Sequence, residues 1–240
     1  MLESLKKRVY DANIQLVKEG LVIATWGNAS AYDPTTGYVV IKPSGVSYDT
    51  MKASDMVVVD LKGNVIEGSL KPSSDTLTHL EIYSHFSEVY AVVHTHSKWA
   101  TIFAQSQNAI PALGTTHADY FSGEIPITRP MREAEVLKNY EKETGKVIVE
   151  TFVKQNRIPH ECPAVLVSEH GPFTWGKTPE KAVHHAVVLE TLAEMAYHTL
   201  TLKKDNKPMS QHLLKKHYQR KHGKNKYYGQ NHGAISSQKR

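Results

Sequence analysis

The sequence predicts an α/β fold, a largely antiparallel sheet covered by helices, and three observations carry that expectation. The N-terminal stretch repeats apolar residues at helical spacing, a train of short extended segments follows, and apolar runs in the second half alternate with helical ones. Length agrees, because 240 residues suit one large domain or two small ones at roughly 150 residues per domain.

Taken in order, Leu2, Leu5, Val9, Ala12 and Leu16 lie on one helical face and Gly20 follows as a stop, which predicts a helix over 2–19. Extended segments are expected at Val22 to Ala24, Ser30 to Asp33, Tyr38 to Lys42, Met56 to Asp60 and Val65 to Glu67. The turn-forming stretches DPTTG, KPSG and LKGN separate them, as in an antiparallel meander.

Thr76 to Phe86 has helical spacing, Ala91 to His96 is β-rich, and Lys98 to Gln107 suits a helix. A helix is expected from Arg132, with a break at Gly145 and a resumption over Lys146 to Gln155. Ala164 to Ser168 predicts a buried strand. Thr178, Pro179 and Glu180 supply an N-cap, a proline at the first helical position and an acid in the first turn of a long helix to Leu202. Ser210 and Gly223 bracket a final basic helix.

Composition narrows the function classes. With 40% hydrophobic and 22% charged residues the chain is globular rather than disordered, and its single cysteine, Cys162, excludes an internal disulfide. No apolar run approaches the roughly 20 residues that span a bilayer, and the start MLESLKKRVYDAN lacks the pattern of a secretory signal, so a cytoplasmic protein without a membrane is expected. The net charge of +5 is uneven: residues 203–240 carry 11 Lys and Arg against the lone acid Asp205. A basic tail can bind nucleic acid, and Tyr218, Tyr227 and Tyr228 interleave with its cations, but no nucleic-acid motif accompanies them.

The sharpest chemical signal is His94-Thr95-His96 at the end of AVVHTH, because residues i and i+2 of a strand project from one face. Two imidazoles can then meet one metal, although a lone histidine is more often structural or on the surface. His170, in SEHGPFTWG after the strand AVLV, is the candidate third ligand. Asp75, in PSSD before a helix, serves either as an oxygen ligand, as an orienter of a histidine, or as a helix cap. Such a donor set suits zinc, and manganese or cobalt would fit it as well.

A second constellation comprises Gly27 and Asn28, then Lys42, Ser44 and Gly45 of KPSG, then Ser73 and Ser74. Together these loops offer N–H groups, hydroxyls and one cation, which suits a phosphate, although each is also an ordinary turn sequence. Asp119 in GTTHADYF and Tyr228 in KYYGQ are the candidates for proton transfer, the first normally ionised and the second normally protonated. Their alternatives are a turn residue and an interface aromatic. His79 and His117 are assigned no role.

The ordered motifs TWGNAS, IKPSGVSY, KPSSDTLTH, VVHTHS, GTTHADYF, VSEHGPFTWG and KHYQRKHGKNKYYGQ resemble those of the L-ribulose-5-phosphate 4-epimerases, within the class II aldolase superfamily. The resemblance covers residues 1–230 and implies one catalytic domain with a three-layer α/β/α sandwich and a homotetramer with active sites between subunits; residues 231–240 are expected to be a flexible extension. It further implies that Asp75, His94, His96 and His170 hold zinc, and that Gly27, Asn28, Ser44, Gly45, Ser73 and Ser74 bind substrate phosphate with help from Lys42. Asp119 and Tyr228 become the acid/base pair, with Tyr228 donated by a neighbouring subunit and His217 nearby.

The implied reaction interconverts L-ribulose 5-phosphate and D-xylulose 5-phosphate in L-arabinose catabolism. Carbon 4 has no adjacent carbonyl, so its proton is not acidic; cleavage and re-formation of the bond between carbons 3 and 4 inverts it instead. The runner-up is a class II aldolase that releases its fragments. Those aldolases place glutamate where this chain has Asp75, which favours the epimerase.

Overall fold

The computed structural model describes residues 2–224, 226 and 227. Tyr228 and the segment 231–240 lie outside the described residues. Helix α1 spans Glu3–Lys18, and strands β1 (Asn28–Asp33), β2 (Tyr38–Ile41), β3 (Val57–Asp60) and β4 (Val65–Glu67) form the expected meander. After it come α2 (Thr76–His85), β5 (Ala91–His94), α3 (Lys98–Gln105), α4 (Thr115–Ala118) and α5 (Glu133–Lys154). Strands β6 (Ala164–Val167) and β7 (Gly171–Gly176) then precede α6 (Pro179–Leu202) and α7 (Gln211–His222).

The strands form one seven-stranded sheet in the order β4-β3-β2-β1-β5-β7-β6, with every neighbouring pair antiparallel. Alternation along the strands sorts the apolar side chains between two faces. Val39, Ile41, Val57, Val59 and Val92 face the layer built by α2 and α5, where Leu80, Ile82, Ile148 and Phe152 meet them. Val40, Val58, Ala29, Ala31, Ala91 and Val93 face α1 and the start of α6. Full burial of one such valine or isoleucine contributes about 1.5–3 kcal/mol, and the two buried faces together give the expected α/β/α sandwich.

Two local expectations are corrected, and one unassigned stretch becomes a strand. Val22 to Ala24 forms no strand, because Ala24 adopts a left-handed φ of 53° that ends extended pairing. The stretch GPFTWG, given no element from the sequence, is β7, buried along most of its length between β5 and β6. Helix α5 runs through Gly145 and breaks instead at Asn139 (φ −155°, ψ 76°). Packing requires glycine at position 145, because α2 passes so close that a β-carbon there would stand 2.5 Å from Glu81 Cβ.

The C-terminal basic helix forms as expected, with Ser210 accepting a bond from Leu213 N–H at its N-cap. Leu214 packs against Ala112 and Ala118, so α7 lies on α4 and its cations meet Asp119 there. Among the described residues, no helix is long and apolar enough to cross a membrane.

Candidate active site

Strand β5 delivers His94 at its last position, and His96 follows two residues on with its Nε2 3.1 Å from His94 Nε2. His170 comes from the tight turn between β6 and β7. There His170 N–H donates to Val167 O at 3.1 Å, and Glu169 takes a left-handed φ of 62°. One ring nitrogen from each of the three histidines lies within 4.8 Å of the others.

These nitrogens fit a divalent cation. Two imidazole nitrogens on one tetrahedral zinc stand about 3.3 Å apart, given Zn–N distances of ~2.0–2.1 Å, close to the separation seen for His94 and His96. The outer nitrogens are held as such ligands require: His94 Nδ1–H donates to Pro172 O at 3.0 Å, and His170 Nδ1 meets the Tyr140 hydroxyl at 3.2 Å. Burial lowers the pKa of all three rings, so they are neutral and carry lone pairs for a metal.

Asp75 sits at the N-cap of α2, yet its side chain makes no capping bond. Its carboxylate instead accepts 2.6 Å from Asn28 Nδ2 and lines the same pocket as His96 and His170. Burial works to raise its pKa, but the neighbouring imidazoles and the Asn28 amide outweigh that and leave it below the ordinary aspartate range. An ionised oxygen donor therefore stands beside the three nitrogens. It is not part of the tight triad.

The pocket has a volume of about 530 Å³ and gathers Gly27, Asn28, Lys42, Ser44, Gly45, Ser73 and Ser74 with Asp75, His96 and His170. A larger groove of about 640 Å³, at the C-terminal ends of α2 and α5, holds none of these residues. Gly27 turns β1 into the pocket with a φ of 78°, and a β-carbon there would meet Val22 Cγ1 at 2.8 Å and His94 O at 2.9 Å. Its carbonyl accepts from the Tyr48 hydroxyl at 2.9 Å.

The two serine loops are tied to each other. Ser44 N–H donates to Lys71 O at 2.9 Å and Ser73 N–H to Lys42 O at 3.0 Å, while Ser73 Oγ accepts from Asn28 Nδ2 at 3.0 Å. Lys42 is 2% exposed, and its Nζ donates to Val46 O at 3.1 Å and Pro43 O at 3.3 Å, above the Tyr48 ring. Burial lowers its pKa, and its head group braces the KPSG turn.

Asp119 is not in this pocket. Its carboxylate accepts from Arg220 Nη2 at 2.7 Å and Nε at 3.0 Å, stands 3.1 Å from His217 Nδ1, and pairs with Lys221 at 3.5 Å. Burial pushes its pKa up, and the Arg220 and His217 bonds more than reverse that. Tyr228, four residues beyond Lys224, lies outside the described residues.

Sequence reasoning missed Trp26, Tyr140 and Glu141, all of which line the pocket. Trp26 stands inside TWGNAS and was within reach of that motif. Tyr140 and Glu141 enter through the break in α5, which the polar run KNYEKE does not announce.

Residues 7–197 match the family described as class II aldolase and adducin N-terminal domain. A relative 53% identical over 229 residues, spanning 95% of this chain and 100% of its own length, is the L-ribulose-5-phosphate 4-epimerase UlaF of Salmonella paratyphi C (strain RKS4594). Among solved structures, an L-fuculose 1-phosphate aldolase superposes with a TM-score of 0.76 at 22% identity over 90% of this chain and 95% of its own. The L-fuculose 1-phosphate aldolase from Glaciozyma antarctica PI12 does so with 0.72 at 19% identity over 90% and 81%. The sandwich and the matched sequence agree, and the chain belongs to the class II aldolase and adducin N-terminal domain family.

Proposed function

We propose that the protein is a metal-dependent epimerase that interconverts L-ribulose 5-phosphate and D-xylulose 5-phosphate by breaking and re-forming the bond between carbons 3 and 4. The observation that carries the reading is the neutral triad His94, His96 and His170, of which His96 and His170 line the same pocket as the serine loops. The 53% identity to an epimerase over 95% of the chain supports this substrate rather than an aldolase's.

His94, His96 and His170 would hold the ion, zinc by preference, with Asp75 as the adjacent oxygen donor. When bound, such an ion supplies Lewis acidity toward the substrate's carbonyl and hydroxyl oxygens as negative charge develops on the three-carbon fragment. Ser44 and Ser74 hydroxyls and Gly45 would hold the phosphate, and Asn28, whose amide donates to Asp75 and Ser73, would hold those two groups in place beside it. The N–H groups of Ser44 and Ser73 are committed to pairing the loops, so those two amides shape the cradle rather than donate into it. Anchoring the phosphate keeps the two-carbon aldehyde in the pocket while it turns its other face for re-addition.

A base removes the proton of the carbon 4 hydroxyl and an acid returns one after re-addition. Asp119 and Tyr228 are assigned these tasks. Because Asp119 stands with α7, away from the histidine pocket, the pair would reach the pocket of a neighbouring subunit in a homotetramer. The setting proposed is cytoplasmic, in L-arabinose catabolism.

The test is to incubate the protein with L-ribulose 5-phosphate before and after chelation, following D-xylulose 5-phosphate and free aldehyde. Metal-dependent appearance of the xylulose phosphate without aldehyde is expected. Stoichiometric release of glycolaldehyde phosphate would make the protein an aldolase and refute the reading.

A further inference from the structure

Tyr140 has no place in the acid/base scheme, yet it is drawn to the histidines by a specific distortion. Helix α5 loses helical geometry at Asn139, and the next residue turns its ring to within 6.0 Å of the His170 ring. Its hydroxyl reaches His170 Nδ1 at 3.2 Å, on the half-buried wall of the pocket. The backbone on either side is anchored: Tyr140 O accepts from Thr144 Oγ1 at 2.8 Å, and Glu141 O accepts from Thr78 Oγ1 of α2 at 2.6 Å.

His94 shows why this contact matters. Its Nδ1–H is taken by a backbone carbonyl, Pro172 O, which fixes the tautomer and leaves Nε2 for the ion. His170 has no such carbonyl partner among its described hydrogen bonds; the phenol oxygen of Tyr140 stands where one would be. When Nε2 is the nitrogen that takes the ion, Nδ1 carries the proton and donates it to that oxygen.

We infer that Tyr140 is a positioning residue for the metal centre, its hydroxyl fixing the tautomer and rotation of His170 so that Nε2 is presented to the ion. The assignment rests on the reading that the three histidines hold a divalent cation, and it adds a residue on α5 that no motif in the sequence marks. Outer partners of this kind typically strengthen metal affinity about 10–100-fold.

The experiment compares the parent chain with Tyr140→Phe, which keeps the ring and removes only the hydroxyl. Zinc affinity is measured by competition with a chromophoric chelator, the cobalt-substituted proteins are compared by visible absorption, and 15N NMR reads His170 in the zinc-loaded forms. The expected result is a roughly 10–100-fold weaker zinc affinity by the factor above, an altered cobalt spectrum, and an Nδ1 proton on His170 that exchanges faster in the variant. Excess zinc should restore most of the turnover. Unchanged zinc affinity, or a His170 metallated through Nδ1 in the parent, would overturn the inference. All three readouts are independent of substrate, so a failed epimerase assay with intact zinc binding would count against the proposed reaction and not against Tyr140.

Discussion

Replacing Gly27 with alanine perturbs the fold and the site through a single methyl group. At φ 78° a β-carbon costs about 1–2 kcal/mol of backbone strain. The same carbon would stand 2.8 Å from Val22 Cγ1 and 2.9 Å from His94 O. The valine methyl can rotate aside, but the His94 carbonyl is fixed by the pairing of β5 with β1 and β7, so relief requires β5 to shift. Overpacking of this kind costs a further ~1–3 kcal/mol, for a total of about 2–5 kcal/mol. Gly37 provides the control: its φ is 77° and nothing lies within 4 Å of the place a β-carbon would occupy, so Gly37→Ala should cost only the strain.

Chemical denaturation of both variants, with zinc affinity measured alongside, separates the two contributions. Gly27→Ala should lose more stability than Gly37→Ala by the overpacking amount and should bind zinc more weakly, since His94 moves with its carbonyl. Equal stabilities with equal zinc affinities would refute the argument that Gly27 is required by its contact with β5.

Other expectations follow from the same contacts. His96→Asn should lower bound zinc and turnover together, read by metal analysis and the epimerase assay; full activity in a metal-free variant would remove the site. Tyr228→Phe should abolish epimerisation while zinc remains bound, and unchanged turnover would end its assignment as acid or base. Ser30 Oγ meets His79 Nδ1 at 2.7 Å and the Tyr83 hydroxyl at 2.6 Å, so Ser30→Ala strands the first and removes one partner of the second; the loss should be about 1–3 kcal/mol by denaturation. His117 and His185 are both lowered to about 4 by burial, so the unfolded chain binds more protons than the folded one between pH 4 and their ordinary value of about 6.5. Stability should therefore fall as pH drops through that window, and His185→Gln should make the fall shallower.

The sequence was legible where local chemistry and final geometry coincide. The meander from β1 to β4 follows its turn residues, α6 follows its Thr178-Pro179-Glu180 start, and the H-x-H pair meets one point because it ends a strand. What stayed hidden depends on distant partners. Strand β7 carries a Gly-Pro start that left it unassigned in the sequence, and it forms by pairing between β5 and β6. Gly145 reads as a break in the sequence but is a packing glycine inside α5, since α2 fills the space where a side chain would stand. Asp119 was legible as an acid and not as the anchor of α7, because Arg220 lies 101 positions away. Tyr140 was hidden for the same reason, since its meaning comes from a turn 30 residues later.

The most direct measurement of the central claim is anomalous X-ray scattering at the zinc edge from crystals of the zinc-loaded protein. The account predicts one strong peak per chain, ~2.0–2.1 Å from ring nitrogens of His94, His96 and His170. A peak elsewhere, or zinc binding without any of these three rings, would contradict it.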